Sequence, residues 1–566
     1  MGSRLRFALC APLLFCSIWA GAARASNCSD HVDTSAAVWS DGFAFNLSNT
    51  RVNASQITSS NVATLQLALS HAAVGSNEKR GAPAVTQQAV FFSAGRDIVA
   101  MNRKSGCTYW RYTIPNRVED PMLASSNAVR SAAIYYLNEG GSKPALVFAG
   151  DQNGVLYALN AQSGALVWSE FLGTDRKLHF ITGGLQFYGG RLYVPIASKE
   201  VITTAIDLAR PCCTTHGMVR AVDAYTGTID WTYDTADAAS YQRADGTMAP
   251  NGMSVWSTPA IDPARNALYI GTGQNLSPPT TDNSDAVIAL NLDSGTPKWV
   301  YQATYGDAWN ASCELPAHLD KHCFPPQGSD FDFGASPILV HLAGGRDALI
   351  AGAKNGVVYS LNPDTGALNW SQRVGAGGNL GGIHWGMAAD ATQVYVGVSD
   401  VMVNKLSKLR ITDLLNPSKA VTKFMQQVDG AHPGVYALNL LSGDIVWQVH
   451  PQHSVASGRL HTTQVDSIYS AALSVTNDVV FAGSLDGELK ALRSSDGKQL
   501  WSYQTAQSFV DVDGHAGNGG SIDSIGAVPA GTDLYVNSGY DTFGGINDFQ
   551  AGPGNALFVF RLPPAN

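Results

Sequence analysis

The chain has 566 residues, 57 of them glycine and only 14% charged, with a formal charge of −9. This suits a large β protein with many tight turns. It argues against a nucleic-acid binder, which would carry basic patches, and leaves room for a basic protein partner.

Met1 to Ala25 reads as a signal peptide. Arg4 and Arg6 precede an apolar run, Phe7 to Ala20, that is too short to span a bilayer comfortably. Ala23-Arg24-Ala25 fits the small-x-small cleavage pattern. The expected mature chain begins at Ser26, is periplasmic or secreted, and carries a charge of −12 once Arg4, Arg6 and Arg24 are gone. No later run of 18 apolar residues follows, so no membrane span is expected. Cys10 and Cys16 leave with the peptide, and an even six cysteines remain, which in an exported chain favours disulfides. Cys313 and Cys323 would close a small loop, and Cys28 would tie the N-terminal segment to Cys107. The adjacent Cys212 and Cys213 are either joined to each other or not paired together.

A repeat organises the rest. In Ala158-Leu159-Asn160-Ala161-Gln162-Ser163-Gly164-Ala165-Leu166-Val167-Trp168 a small residue is followed by Gly six positions on and Trp ten positions on. The spacing returns at Ala100/Gly106/Trp110, Ala221/Gly227/Trp231, Ala289/Gly295/Trp299, Ser360/Gly366/Trp370, Ala437/Gly443/Trp447 and Ala491/Gly497/Trp501. The Trp-to-Trp intervals vary from 54 to 77 residues, as rigid units with variable insertions would give. Each unit reads as strand, tight glycine turn, strand, with its Trp packed in the core against the next unit. Length alone suggests several domains, but the repeat runs from Cys107 to Trp501 without a linker, so one domain over residues 26–566 is expected.

Strands around Asp533 to Val536 and Asn555 to Phe560 would form most of an eighth blade, closed by an N-terminal strand around Leu65 to Leu69. The expected fold is all-β, an eight-bladed propeller, with seven blades as the alternative. The 77-residue interval before Trp447 holds Val401 to Gln427, with Lys405, Lys408, Arg410, Lys419 and Lys423. It reads as a partly helical excursion or a plain surface loop.

The repeat resembles the tryptophan-docking motif of the pyrroloquinoline quinone (PQQ) alcohol dehydrogenases over nearly the whole mature chain. The stretch Lys199-Glu200 … Cys212-Cys213-Thr214-Thr215-His216-Gly217-Met218-Val219-Arg220-Ala221-Val222-Asp223 resembles the polyvinyl alcohol dehydrogenase branch. The resemblance implies a PQQ site between Trp256 as floor and a Cys212-Cys213 ring as roof. Methanol-oxidising relatives carry their cysteine pair in an earlier blade. Arg130 would grip a cofactor carboxylate, Lys354 would stand beside the reactive carbonyl, and Thr182 and His384 would make polar contacts.

The same resemblance implies a Ca²⁺ site with Glu200, Asp307 and an amide oxygen from Gln274 or Asn275, with Asn275 the choice, as ligands, oxygen donors of the kind that ion takes. In Gly306-Asp307-Ala308-Trp309-Asn310 the family has Asp where this chain has Asn310, which cannot take a proton. Asp307 is therefore the expected catalytic base, with Lys354 stabilising the developing oxyanion. An alcohol would be oxidised, and electrons would leave to an external acceptor such as cytochrome c, since no Cys-x-x-Cys-His for a covalent haem occurs. No strand–Gly-x-Gly-x-x-Gly–helix unit speaks for nicotinamide. Two other readings remain: a non-catalytic propeller acting as a binding or assembly scaffold, and a PQQ binder with altered chemistry.

Overall fold

The computed structural model describes residues 23–24, 27–76, 80–116, 129–236, 241–403, 425–451, 454–458, 461–465, 467–540 and 551–564. Antiparallel sheets with four radial strands at their heart repeat eight times around an axis; the first and third carry extra strands, and the eighth draws its strands from both ends of the chain. The innermost strands are Ala84–Thr86, Val129–Leu137, Gln186–Tyr188, Ala260–Asp262, Ile338–His341, Ala388–Ala389, Ser474–Thr476 and Ala527–Ala530, here blades 1 to 8.

The repeat folds as its residues dictate. Asn160 Oδ1 accepts the backbone N–H of Gln162 and Ser163, a turn that Asn forms readily. Gly164 then takes φ 72°, a left-handed conformation that glycine enters without penalty. The chain returns with Trp168 directly across from Ala158, and the same Ala-to-Trp register recurs at Ala100 and Trp110, Ala221 and Trp231, and Ala289 and Trp299. The indole N–H of Trp168 donates to Ala224 O of the next blade at 3.1 Å, and Trp110 does the same to Ala161 O at 2.8 Å. The Trp of each of the first six blades also lies over the motif glycine of the following blade. A Cβ added to Gly164 would stand 2.6 Å from Trp110, and one added to Gly366 would stand 2.6 Å from Trp299.

Blade 8 has no docking Trp and closes differently. Its outermost strand is N-terminal, Gln66–Ala72, paired antiparallel with C-terminal Ala556–Arg561. Trp501 of blade 7 meets Phe560 of blade 8 edge to face at 5.2 Å. The ring is thus shut by two ends of one chain, and each blade has a neighbour on both sides.

Disulfides join Cys28 to Cys107, Cys212 to Cys213 and Cys313 to Cys323. In the long interval of blade 6, Val401–Val403 pairs with Met425–Gln427. The expected excursion over Lys405 to Lys423 lies outside the described residues. Among the described residues no helix is long and apolar enough to cross a membrane.

Gly366→Ala should destabilise the folded chain. The new methyl needs both a left-handed backbone at φ 73° and space already held by Trp299. Overpacking of this kind costs about 1–3 kcal/mol. The denaturation midpoint should fall with the m-value unchanged.

Candidate active site

The loops that enter the inner strands gather at one end of the channel. Trp256 stands four residues ahead of the blade 4 inner strand, Asp332 six ahead of that of blade 5, and His384 four ahead of that of blade 6. Their side chains converge. Trp256 Nε1 donates to Asp332 Oδ2 at 2.9 Å, and Lys354 Nζ lies 3.1 Å from both Asp332 Oδ2 and Asp330 Oδ1. The same ammonium sits 5.4 Å from the Trp256 ring centre. His384 and Trp385 approach Trp256 edge-on at 5.5 Å and 5.3 Å. Lys354 N donates to Asp332 O, so backbone and side chain bind the same residue.

Trp256 is fixed but not enclosed. Its outer edge lies against Gly334, where an added Cβ would fall 1.8 Å from Cη2. Gly183, next to the buried Thr182, packs on the backbone carbonyls of Trp256 and Ser257. Trp256 itself is half-buried among buried neighbours, as an aromatic platform open on one side would be. His384 is held neutral, pushed down to about 3 by burial and by the Lys354 charge, and its Nδ1 lies 2.7 Å from Ser470 Oγ.

The proposed metal residues sit on loops from blades 3, 4 and 5 that bond sideways to one another. Isolated bridges link His216 to Gly252, Gly252 to Asn275, and Asn275 to Ala308. Glu200 opens the short helix Glu200–Ile206, and its carboxylate accepts the N–H and hydroxyl of both Thr214 and Thr215. This ties it to the segment carrying the Cys212–Cys213 ring, which packs with Leu276, Val201 and Phe324. Asn275 Nδ2 donates to Asn251 O, and its Oδ1 accepts Thr281 N. Asp307 Oδ1 accepts the N–H of Ser329 and Asp330, and Oδ2 accepts that of Phe331. Arg130 lies in the blade 2 inner strand, and its side chain falls outside the described residues.

Asn310 has a structural task. It caps the 3₁₀ helix Ala311–Glu314, accepting Ser312 N, and its amide donates to Leu276 O and His322 O. The loop it opens is stapled by Cys313–Cys323 and ends where Gly328 packs on the Asp307 carboxylate.

Sequence reading missed Asp330, Asp332 and Asp285. Asp330-Phe331-Asp332 carried a usable signal, because it precedes an inner strand as Trp256 does. Asp285 is fully buried, and neither of its carboxylate oxygens has a hydrogen-bond partner. Burial raises it well above the usual range, with Asp307 and Asp332 adding to the effect. Burial also raises Asp330, against the pull of Lys354. Among the described residues these four buried carboxylates face one ammonium, a donor set that suits a hard cation, and the half-buried Trp256 ring suits a flat aromatic cofactor.

Known proteins share this architecture. Residues 46–321 match the family model described as glucose/ethanol/alcohol dehydrogenase, beta-propeller domain. Residues 339–548 match the model described as outer membrane protein assembly factor BamB. The chain belongs to the PQQ-dependent alcohol dehydrogenases, quinoprotein enzymes built on a β-propeller. Within that family it is 33% identical over 474 residues to a polyvinylalcohol dehydrogenase of a Pseudomonas species, covering 82% of this chain and 68% of the relative. The polyvinylalcohol dehydrogenase of Sphingopyxis sp. (strain 113P3) is 31% identical over 476 residues, 82% of this chain and 67% of the relative. Among solved structures, a quinohemoprotein alcohol dehydrogenase of Pseudomonas putida HK5 superposes with TM-score 0.65 at 19% identity, covering 94% of this chain and 82% of that one. A europium-containing methanol dehydrogenase superposes with TM-score 0.65 at 18% identity, covering 93% and 98%. These two share the fold.

Lys354→Met removes the ammonium that pairs with Asp330 and Asp332. Leaving buried charge without its partner costs about 3–5 kcal/mol at neutral pH. The sign of the pH dependence follows from the raised Asp330 and Asp285. The folded state keeps protons that the unfolded state releases near pH 4, so stability falls as pH rises above that value. The variant should lose stability more steeply than the parent between pH 4 and 7, which melting curves across that range would record.

Proposed function

We propose that the protein oxidises secondary or polymeric alcohols to ketones or aldehydes with PQQ and calcium, passing electrons to an external acceptor such as a cytochrome c. The observation that carries this reading is the buried contact of Trp256, Asp332 and Lys354 at one end of the channel. When bound, PQQ would supply an electrophilic carbonyl and calcium would supply Lewis acidity. Glu200, Asn275 and Asp307 are the candidate calcium ligands. Trp256 offers the face on which the cofactor rests, and the Cys212–Cys213 ring is the candidate cover. Arg130, Thr182 and His384 are the candidate polar contacts. Residues 1–25 are proposed as a signal peptide. The disulfides fit a periplasmic or secreted protein.

The chain's own part is proton and charge management. Lys354 holds a positive charge beside the floor, where a developing oxyanion would be stabilised. A carboxylate must take the hydroxyl proton. Asp307, the choice from sequence, is raised by burial, and both its oxygens are engaged by backbone N–H groups, so that it anchors the 328–331 loop. Asp332 touches both the Trp256 edge and Lys354, and we assign it the proton.

Asp332→Asn keeps the shape and removes the acceptor. Turnover in a dye-reduction assay with PQQ and calcium should fall by about 10²- to 10⁴-fold while PQQ stays bound. Asp307→Asn should leave a much larger share of the turnover. The reverse order would return the base to Asp307.

Calcium removal is the second test. Chelation should abolish PQQ retention, and Glu200→Ala should raise the calcium needed to restore it. Tight PQQ binding by Glu200→Ala in chelator would sink the metal assignment. The scaffold reading draws on the assembly-factor match over residues 339–548, and it predicts that the purified protein binds no PQQ at all.

A further inference from the structure

The innermost strand of a propeller blade faces the channel with one edge that has no strand partner. Here the segment between the Val38–Ser40 strand and the 3₁₀ turn Val62–Thr64 supplies that edge with bonds, blade after blade. Asp41 O accepts Tyr136 N of blade 2, and Asn46 O accepts Gln186 Nε2 of blade 3. Leu47 O accepts Ile261 N of blade 4, Ser48 O accepts Leu339 N of blade 5, and Thr50 O accepts Ala389 N of blade 6. Arg51 O accepts Val475 N of blade 7, and Gln56 N donates to Gly531 O at the end of the blade 8 inner strand. Sixteen residues visit blades 2 to 8 in sequence order. The circuit needs sharp bends, and Phe45, Asn49 and Arg51 take left-handed φ of 69°, 56° and 52°. Residues other than glycine adopt this conformation only where surrounding contacts demand it.

Arg51 is the hub of the circuit. It is 1% exposed, and its guanidinium donates to three backbone carbonyls: Leu473 O at 2.6 Å, Ile525 O at 2.8 Å and Phe43 O. The guanidinium lies 4.3 Å from the Phe43 ring centre and 4.8 Å from that of Phe45. It therefore joins the start of the circuit to blades 7 and 8 at its finish. Phe43 belongs to a buried cluster with Trp385, Ala472, Ile525 and Tyr540, and Trp256 packs against that cluster. A Cβ on Gly386 would lie 3.6 Å from the tip of Phe43, so the ring sits directly against the strand entry that carries Trp385. Trp385 in turn meets Trp256 edge to face at 5.3 Å.

We propose that residues 41–56 form a strap closing the channel beneath the candidate site, and that Arg51 is a positioning residue holding the Trp256 platform through Phe43 and Trp385. The positioning role rests on the reading of Trp256 as the cofactor's floor. A platform already held in place loses less freedom when a ligand lands on it, which favours affinity. The strap needs no contact with the cofactor to do this.

The test uses the full chain without cofactor first. The indole N–H resonances of Trp256 and Trp385 would be assigned through Trp256→Phe and Trp385→Phe. Arg51→Met should move both while the docking indoles, such as Trp110, Trp168 and Trp299, stay in place. Phe43→Leu should move the same pair, and it serves as the deciding variant if Arg51→Met does not fold. PQQ titration should then show the dissociation constant of Arg51→Met, or of Phe43→Leu in its stead, raised by about tenfold or more, a loss of at least about 1.4 kcal/mol. Unmoved Trp256 and Trp385 indoles in a folded variant would overturn the proposal. Shifts spread equally over the docking indoles would do the same, since they would mark Arg51 as merely structural. Unchanged PQQ affinity in a variant whose indoles have moved would remove the positioning role. A parent protein that binds no PQQ would instead defeat the functional reading, and the indole comparison would still decide the strap.

Discussion

Everything in this molecule depends on an indole lying over a glycine. The docking Trp of one blade occupies the space that a side chain on the next blade's turn would need, and its N–H bonds to a carbonyl just before that turn. The contact fixes both distance and rotation between blades, since the glycine sets how closely they approach and the hydrogen bond sets the angle. Repeated around the axis, it leaves the inner strands little freedom over where they point. The loops that enter those strands inherit that precision, which is how Trp256, Asp332 and His384 from three different blades come to share one space.

The site is in electrostatic tension. Asp285, Asp307, Asp330 and Asp332 are all buried, and among the described residues Lys354 alone opposes them. A protein interior does not tolerate such an excess of one sign without protons or a counter-ion. The strain is contained because the loops bond laterally, from His216 through Gly252 and Asn275 to Ala308. Asp307 contributes to that rigidity by gathering three backbone N–H groups of the following loop.

The fold was largely legible because the docking motif is local and its spacing is fixed. Counting its copies, and noticing that strand material continued after Trp501, was enough to reach eight blades and an N-terminal closing strand, which the structure places at Gln66–Ala72. The three cysteine pairings were open to the same reading, with only the vicinal pair ambiguous on spacing. The site was harder. The stapled loop 311–328 separates Asp307 from Asp330 and Asp332, so motif matching stopped before it reached the carboxylates that touch Lys354. Asn310 looked like a lost acid because its work as a helix cap and as a tie to Leu276 and His322 depends on residues distant in sequence. The strap was invisible for a related reason. It has no periodicity, and its partners are carbonyls and amides up to hundreds of residues away, so nothing in residues 41–56 alone announces a circuit.

That circuit bears on how the chain can be made. A ribosome delivers Asp41 to Gln56 before the blades the segment binds, and its last partner, Gly531, emerges almost at the end of synthesis. Gln66–Ala72 waits still longer for its mate, Ala556–Arg561. The blades can form locally as each hairpin emerges, but the ring and its strap are contacts of very high sequence separation, the kind that close slowly. Until then the N-terminal strand presents an unpaired edge, and Phe43 and Phe45 lack the neighbours that bury them. A chain of this design has to be kept from sticking to its neighbours for nearly the whole time of its production, and residues 51–72 are the last to settle.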